Sequence, residues 1–147
     1  MKVAVLMGSA NDKAKMAPAL ETLAEFGVEA EEHVLSAHRS PDRVAAFARG
    51  ARDAGFGALI CGAGMAAHLA GAVAANTTLP VIGVPLSGGG LNGVDALYAT
   101  VQMPRGIPVA TVAIDGALNA ALLAVEILAV KDPSLAARLA DYRDGWG

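Results

Sequence analysis

Ser36-Ala37-His38-Arg39-Ser40-Pro41-Asp42 crowds a hydroxyl, an imidazole and a guanidinium into one short stretch. Imidazole is the side chain best suited to carry a proton near neutral pH, and the planar guanidinium fork matches phosphate or carboxylate oxygens. A loop holding both can move a proton and grip an anion at once. Two further stretches offer complementary chemistry. Gly8-Ser9-Ala10-Asn11-Asp12 has the composition of a helix start, where free backbone N–H groups and the Ser9 hydroxyl attract phosphate. Asp12 would repel a phosphate, so a ribose hydroxyl is its better partner. Gly62-Ala63-Gly64-Met65-Ala66-Ala67-His68 lets backbone come close to a ligand and ends on a second histidine.

Each stretch has a plainer explanation beside the functional one. Ser9, Asn11 or Asp12 can cap a helix, the small residues can serve close helix–sheet packing, and either histidine can be a hydrogen-bonded structural group. What favours a site is position. All three stretches follow strand-like runs, and strand ends of an open α/β sheet converge on one crevice. Spacing excludes other chemistries. There is no G-x-G-x-x-G fingerprint, no Gly-Lys-Ser/Thr phosphate loop and no G-x-S-x-G nucleophile elbow. His33, His38 and His68 lack metal-ligand spacing, and the single Cys61 cannot complete a structural zinc site.

The elements that must position these loops alternate along the whole chain. Residues 3–7 predict a first strand, and residues 12–26 a helix closed by Gly27. Residues 28–35 predict a second strand. There Glu29, Glu31 and His33 alternate with apolar residues, the pattern of an edge position. Pro41 opens a helix to about residue 54. Residues 58–61 read as a third strand, 65–75 as a helix of small residues and 80–84 as a fourth strand. A flexible Ser87-Gly88-Gly89-Gly90 segment precedes a short helix over 93–101, a fifth strand over 109–114 and helices over 119–130 and 134–143. Such alternation means parallel βαβ units with right-handed crossovers. The expected fold is a three-layer, doubly wound, flavodoxin-like sheet of five strands in the order 2-1-3-4-5.

Composition narrows the setting. The 147 residues are 54% apolar and 17% charged with a net charge of -3, which excludes a disordered chain and gives no basic footprint for nucleic acid. Arg43, Arg49 and Arg52 fit one solvated helix face. Mean hydropathy of +0.47 is high. The longest apolar runs are broken by His68, Asp115 and Asn119, so no membrane span is expected and a heavily buried homo-oligomer explains the value better. The single cysteine and the absence of a signal-like leader point to the cytoplasm.

Six ordered motifs carry a resemblance. They are Gly-Ser-x-x-Asp at 8–12, Ser-Ala-His-Arg-x-Pro-Asp at 36–42 and Gly-Ala-Gly-x-Ala-Ala-His-Leu at 62–69, then Leu-Pro-Val-Ile-Gly-Val-Pro at 79–85, Leu-Asn-Gly-x-Asp at 91–95 and Val-Gln-Met-Pro-x-Gly-Ile-Pro-Val-Ala-Thr-Val-Ala-Ile at 101–114. In order and spacing the chain resembles the N5-carboxyaminoimidazole ribonucleotide mutases, the class I form of aminoimidazole ribonucleotide carboxylase in purine biosynthesis. The resemblance implies one domain over residues 1–147, assembled as an octamer, acting on a small-molecule nucleotide with no metal and no organic cofactor. Carboxylate would move from the exocyclic N5 to C4 of the imidazole through CO2 held in the site. By that match His38 is the proton carrier, Ser9, Asp12, Ser36, Ala37 and Arg39 are substrate contacts, and Gly64, Ala66, His68 and Leu69 enclose the base and CO2. The segment 87–92 would cover the site.

Departures from the family pattern are Asn11 for a usual serine, Met65 for a second glycine and Ala70-Gly71-Ala72 for Pro-Gly-Met. Met65 puts bulk beside the expected CO2 site unless its side chain turns into the helix packing. His68 favours class I over class II, which carries Ser-Asn-x-Leu-Ser-Gly here. Two alternatives stand beside the mutase: a carboxylase using CO2 or bicarbonate directly, and a non-catalytic nucleotide-binding module.

Overall fold

The computed structural model describes residues 1–146. Its elements run β1 (Lys2–Met7), α1 (Lys13–Glu25), β2 (Ala30–Val34), α2 (Pro41–Gly50), β3 (Phe56–Gly64), α3 (Leu69–Ala74), β4 (Val81–Leu86), α4 (Val94–Val101), β5 (Ala110–Thr111), α5 (Ala117–Ala129) and α6 (Pro133–Asp144). All strand pairs are parallel, and the order is β2-β1-β3-β4-β5, as expected. β1 therefore lies between β2 and β3, and the three loops of interest leave neighbouring strand ends.

Alternation along each strand builds two apolar layers. Val3, Val5 and Met7 of β1, with Ala58, Ile60, Ile82 and Val84, share a layer with α1, α5 and α6 through Met16, Leu23, Val125 and Leu135. Ala4 and Leu6, with Leu59, Cys61 and Val81, face α2 and α3 through Val44, Ala48, Leu69 and Val73. β2 is the edge its charged alternation predicts. The faces differ from that alternation, since Glu32 and Val34 are exposed while Glu31 and His33 are half-buried, and Glu31 accepts from both Lys2 and His33, whose Nε2 is 3.2 Å from Glu31 Oε2. His33 also packs on Phe47 at 4.6 Å between ring centroids, so it belongs to the edge of the core and not to the site.

Four elements differ from the sequence expectation. β3 runs on through Gly62, Ala63 and Gly64, because Val84, Pro85 and Leu86 of β4 continue the ladder opposite them. Backbone pairing does not need a side chain, so glycines expected in the loop are strand. The next helix begins at Leu69 and not at residue 65, since Met65 has φ +49 and cannot sit in a right-handed turn. α2 ends at Gly50, with residues 51–55 forming turns closed by Gly55 at φ +87. β5 is only Ala110–Thr111, because the chain soon bends at Asp115, φ +58. Gly83 has a packing reason: a Cβ there would lie 2.3 Å from Thr100 Cγ2, so α4 can sit directly on β4.

Candidate active site

Gly8, Leu35 and Gly64 follow or end three adjacent strands, so the sheet brings their loops to one side of its carboxyl edge. The resulting cleft, about 390 Å³, is lined by Ser9, Asp12, Ser36, Ala37, His38, Arg39, Gly64, Ala66, His68 and Leu69, together with Gly8, Asn11, Ala63 and Met65. All ten residues singled out from the sequence therefore meet in one place. Its volume lies in the range of small-molecule sites, about 300–1,000 Å³.

The loop after β2 is held by its own polar groups. The Ser36 carbonyl accepts from the Ser40 N–H at 2.9 Å and the Ser40 hydroxyl at 3.0 Å, which closes the turn before Pro41 starts α2. The Ser36 hydroxyl accepts from the Arg39 N–H at 3.2 Å and from Arg39 Nε at 3.4 Å. Arg39 Nη2 donates to the Gly8 carbonyl at 3.1 Å, tying the loop after β2 to the loop after β1. Among the described residues no acid pairs with the guanidinium in a salt bridge, and Arg39 lines the cleft.

Next to Gly8, Ser9 starts a 3-10 turn (Ala10–Asp12) that leads into α1, and its hydroxyl accepts from the Asn11 N–H at 3.2 Å. The plain capping role of Ser9 is thus real, and its O–H remains a donor. Burial pushes the Asp12 carboxyl above the usual carboxylate range, against the pull of the Ser9 backbone, Lys15 and Arg39.

The two histidines meet, although thirty residues separate them in sequence. His38 Nε2 stands 2.7 Å from His68 Nδ1, with the rings nearly perpendicular and their centroids 4.9 Å apart. One of the facing nitrogens must donate and the other accept, so a proton can pass between the rings without either moving. His68 precedes α3 on a tight turn in which Ala67 N–H donates to the Met65 carbonyl at 2.8 Å. It is exposed, so the core-histidine explanation fails for it.

Of the two alternatives for Met65, the structure takes the one that leaves its bulk at the cleft. Its side chain is 59% exposed and does not turn into the helix packing. It stands at the rim against Gly89, where an added Cβ would come 3.1 Å from its Cγ. No three His, Cys, Asp or Glu residues gather in a metal-holding arrangement among the described residues. Nor is any helix there long and apolar enough to cross a membrane. The proximity of His38 to His68 and the tie from Arg39 to Gly8 could not be read from the sequence, since both are contacts between loops.

A parallel sheet of this order, with an arginine-lined cleft and a histidine pair where the strand order reverses, defines a flavodoxin-like α/β protein with a cleft at its switch point. Comparison with known proteins then narrows the class. The sequence model of the family described as AIR carboxylase matches residues 2–146. The chain is 52% identical over 143 residues to an N5-carboxyaminoimidazole ribonucleotide mutase from Pyrococcus abyssi, covering 97% of this chain and 82% of that protein. It is 53% identical over 142 residues to a phosphoribosylaminoimidazole carboxylase from Schizosaccharomyces pombe, spanning 97% of this chain but 26% of that longer protein. The crystal structure of Treponema denticola PurE superposes with a TM-score of 0.89 at 28% identity, over 97% of this chain and 89% of that one. The chain belongs to the AIR carboxylase family.

Proposed function

We propose that this protein, acting in the cytoplasm as one AIR carboxylase-like domain, is a mutase that converts N5-carboxyaminoimidazole ribonucleotide to 4-carboxy-5-aminoimidazole ribonucleotide. The observation that carries the reading is the His38–His68 pair at 2.7 Å, in one cleft with Ser9, Asp12 and Arg39. The name and 52% identity of the Pyrococcus relative support the same reaction.

The steps close on themselves. Arg39 and Ser9 hold the phosphate, and Asp12 accepts from a ribose hydroxyl. The N5–carboxylate bond breaks, its electron pair returns to N5, and protonated His38 gives that nitrogen its proton. CO2 stays beside the ring. C4 attacks it with electron density supplied by the amino-substituted ring, and neutral His38 then removes the C4 proton. The imidazole ends protonated as it began. His68 hydrogen-bonds His38 and fixes its orientation through both transfers. Gly64, Ala66 and Leu69 leave a small apolar space suited to CO2.

Purified protein given N5-carboxyaminoimidazole ribonucleotide should form product without added bicarbonate. The name of the Schizosaccharomyces relative favours a second reading, direct carboxylation of aminoimidazole ribonucleotide. Product formed only from aminoimidazole ribonucleotide plus bicarbonate would establish that reading and reject the mutase.

We further propose that the protein assembles as a homo-oligomer, an octamer by family resemblance. Leu91, Val94, Tyr98 and Val101 recur at helical spacing along α4 and its approach, and are 64%, 44%, 61% and 48% exposed. Such a stripe suits burial against another copy. Replacing Tyr98 and Val101 together by aspartate should reduce the assembly to smaller species in sedimentation velocity, with far-ultraviolet circular dichroism preserved. Unchanged sedimentation would place the contact elsewhere.

A further inference from the structure

One cluster of charged and polar groups beside the cleft has no part in the reaction as proposed. Lys15, on the first turn of α1, donates from Nζ to both the Ser87 carbonyl and the Ser87 hydroxyl, the latter at 2.7 Å. The Ser87 N–H donates to Asp115 Oδ1 at 2.9 Å, and Lys15 Nζ lies 3.9 Å from the same carboxylate. Asp115 in turn donates its N–H to the Pro85 carbonyl at 2.9 Å. Ser87 is thus gripped at its N–H, its carbonyl and its hydroxyl by groups from α1 and from the turn before α5.

The position of that grip is informative. Ser87 is the first residue after β4, and three glycines follow it. Gly88 and Gly89 have φ of +145 and +63, and added Cβ atoms on Gly88 and Gly90 would meet nothing within 4 Å. Such a segment has little stiffness of its own. Where it lies is decided by the end that is held. It comes to rest with Gly89 against Met65, on the rim of the cleft. Asp115 keeps a left-handed backbone, φ +58, uncommon for a residue other than glycine, and in it the carboxylate reaches the Ser87 N–H. Burial would raise that carboxyl, yet the Ser87 hydrogen bonds and Lys15 outweigh it and hold it below the ordinary range. As an isolated surface ion pair Lys15–Asp115 would count for little. Its effect comes from having Ser87 between its members.

We propose that Lys15 is a positioning residue: through Ser87, with Asp115 as its counterpart, it holds the triglycine segment against Met65 at the rim of the cleft, where the segment forms one part of the cover that retains CO2. The assignment rests on the mutase reading, since only a reaction that frees CO2 needs such a cover. His38, Arg39 and His68 are all exposed in the single chain, so some further cover is needed to exclude water.

The test uses substrate carrying a 13C-labelled N5-carboxylate, turned over in unlabelled bicarbonate, with product label read by mass spectrometry. Wild-type protein should retain the label. Lys15→Met, which keeps the aliphatic stem, should raise label loss by about fivefold, the effect of one kcal/mol on an opening equilibrium. Amide hydrogen exchange at residues 88–91 should quicken in the same variant, and Lys15→Arg should restore both readings. Asp115→Ala, acting on the other grip, should reproduce the loss if Lys15→Met folds poorly. Normal label retention in both variants overturns the proposal, whether or not hydrogen exchange quickens. Wild-type protein that makes no product from the labelled substrate rejects the mutase reading itself. Hydrogen exchange would still show whether Lys15 holds the segment.

Discussion

His38→Asn should lower kcat for the mutase reaction by roughly a thousandfold, within the range that a positioned general acid-base contributes. Asparagine keeps a polar group near the imidazole's position and can still hydrogen-bond toward His68. What it cannot do is give up and recover a proton. The loss should therefore fall on kcat, with KM for the nucleotide moving little, because the proposed phosphate and ribose contacts come from Ser9, Asp12 and Arg39, which the substitution leaves in place. His38 is exposed on a loop closed by Ser36 and Ser40, so the fold should survive the change, as thermal unfolding would show. His68→Asn should cost less, about tenfold, since it would loosen the orientation of His38 without removing the proton carrier. Equal losses at both positions would mean the pair shares the proton. A His38→Asn protein with full activity would support a binding module and exclude the proposed chemistry.

The architecture could be derived from the sequence because it rests on one-dimensional patterns. Strand-length apolar runs alternating with amphipathic stretches give parallel βαβ units, and topology rules then restrict the order. Even the edge position of β2 follows from Glu29, Glu31 and His33 alternating with apolar neighbours. Met65 marks where such reading stops. Its neighbours are small and helix-compatible, so a continuous helix from residue 65 is the natural expectation. The left-handed φ of Met65 depends instead on how β3 leaves the sheet beside β4. Site composition was legible for a related reason: loops at neighbouring strand ends must converge. Contacts within it were not. The 2.7 Å approach of His38 to His68 is set by the paths of two loops, and no spacing encodes it. The Lys15–Ser87–Asp115 cluster is harder still. Its members come from α1, the residue after β4 and the turn before α5, and although Ser87 heads a segment the sequence marks as flexible, no spacing pairs it with Lys15 or Asp115.

Arg39 should be the second most costly position. Arg39→Leu removes the guanidinium that ties Gly8 to Ser36 and faces the proposed phosphate, and kcat/KM should fall by roughly a hundredfold as charge-assisted hydrogen bonds are lost. Arg39→Lys should recover only part of this, because an ammonium cannot span two acceptors and an anion as a planar fork does. A pH signature separates this role from simple loop support. The Asp12 carboxyl is raised by burial, and Arg39 is one of the groups opposing that rise. Only the ionised carboxylate is a pure acceptor for a ribose hydroxyl, so kcat/KM should decline as pH falls through the folded pKa of Asp12, which lies above the usual 3.8. Without Arg39 that pKa rises further, and the acid limb should move to higher pH. Steady-state profiles of wild-type, Arg39→Leu and Arg39→Lys proteins would reveal it, with lysine, still cationic, keeping the limb nearer its original place. A uniform loss at every pH would make Arg39 an anion contact without influence on Asp12. An unchanged kcat/KM in the leucine variant would remove Arg39 from the site.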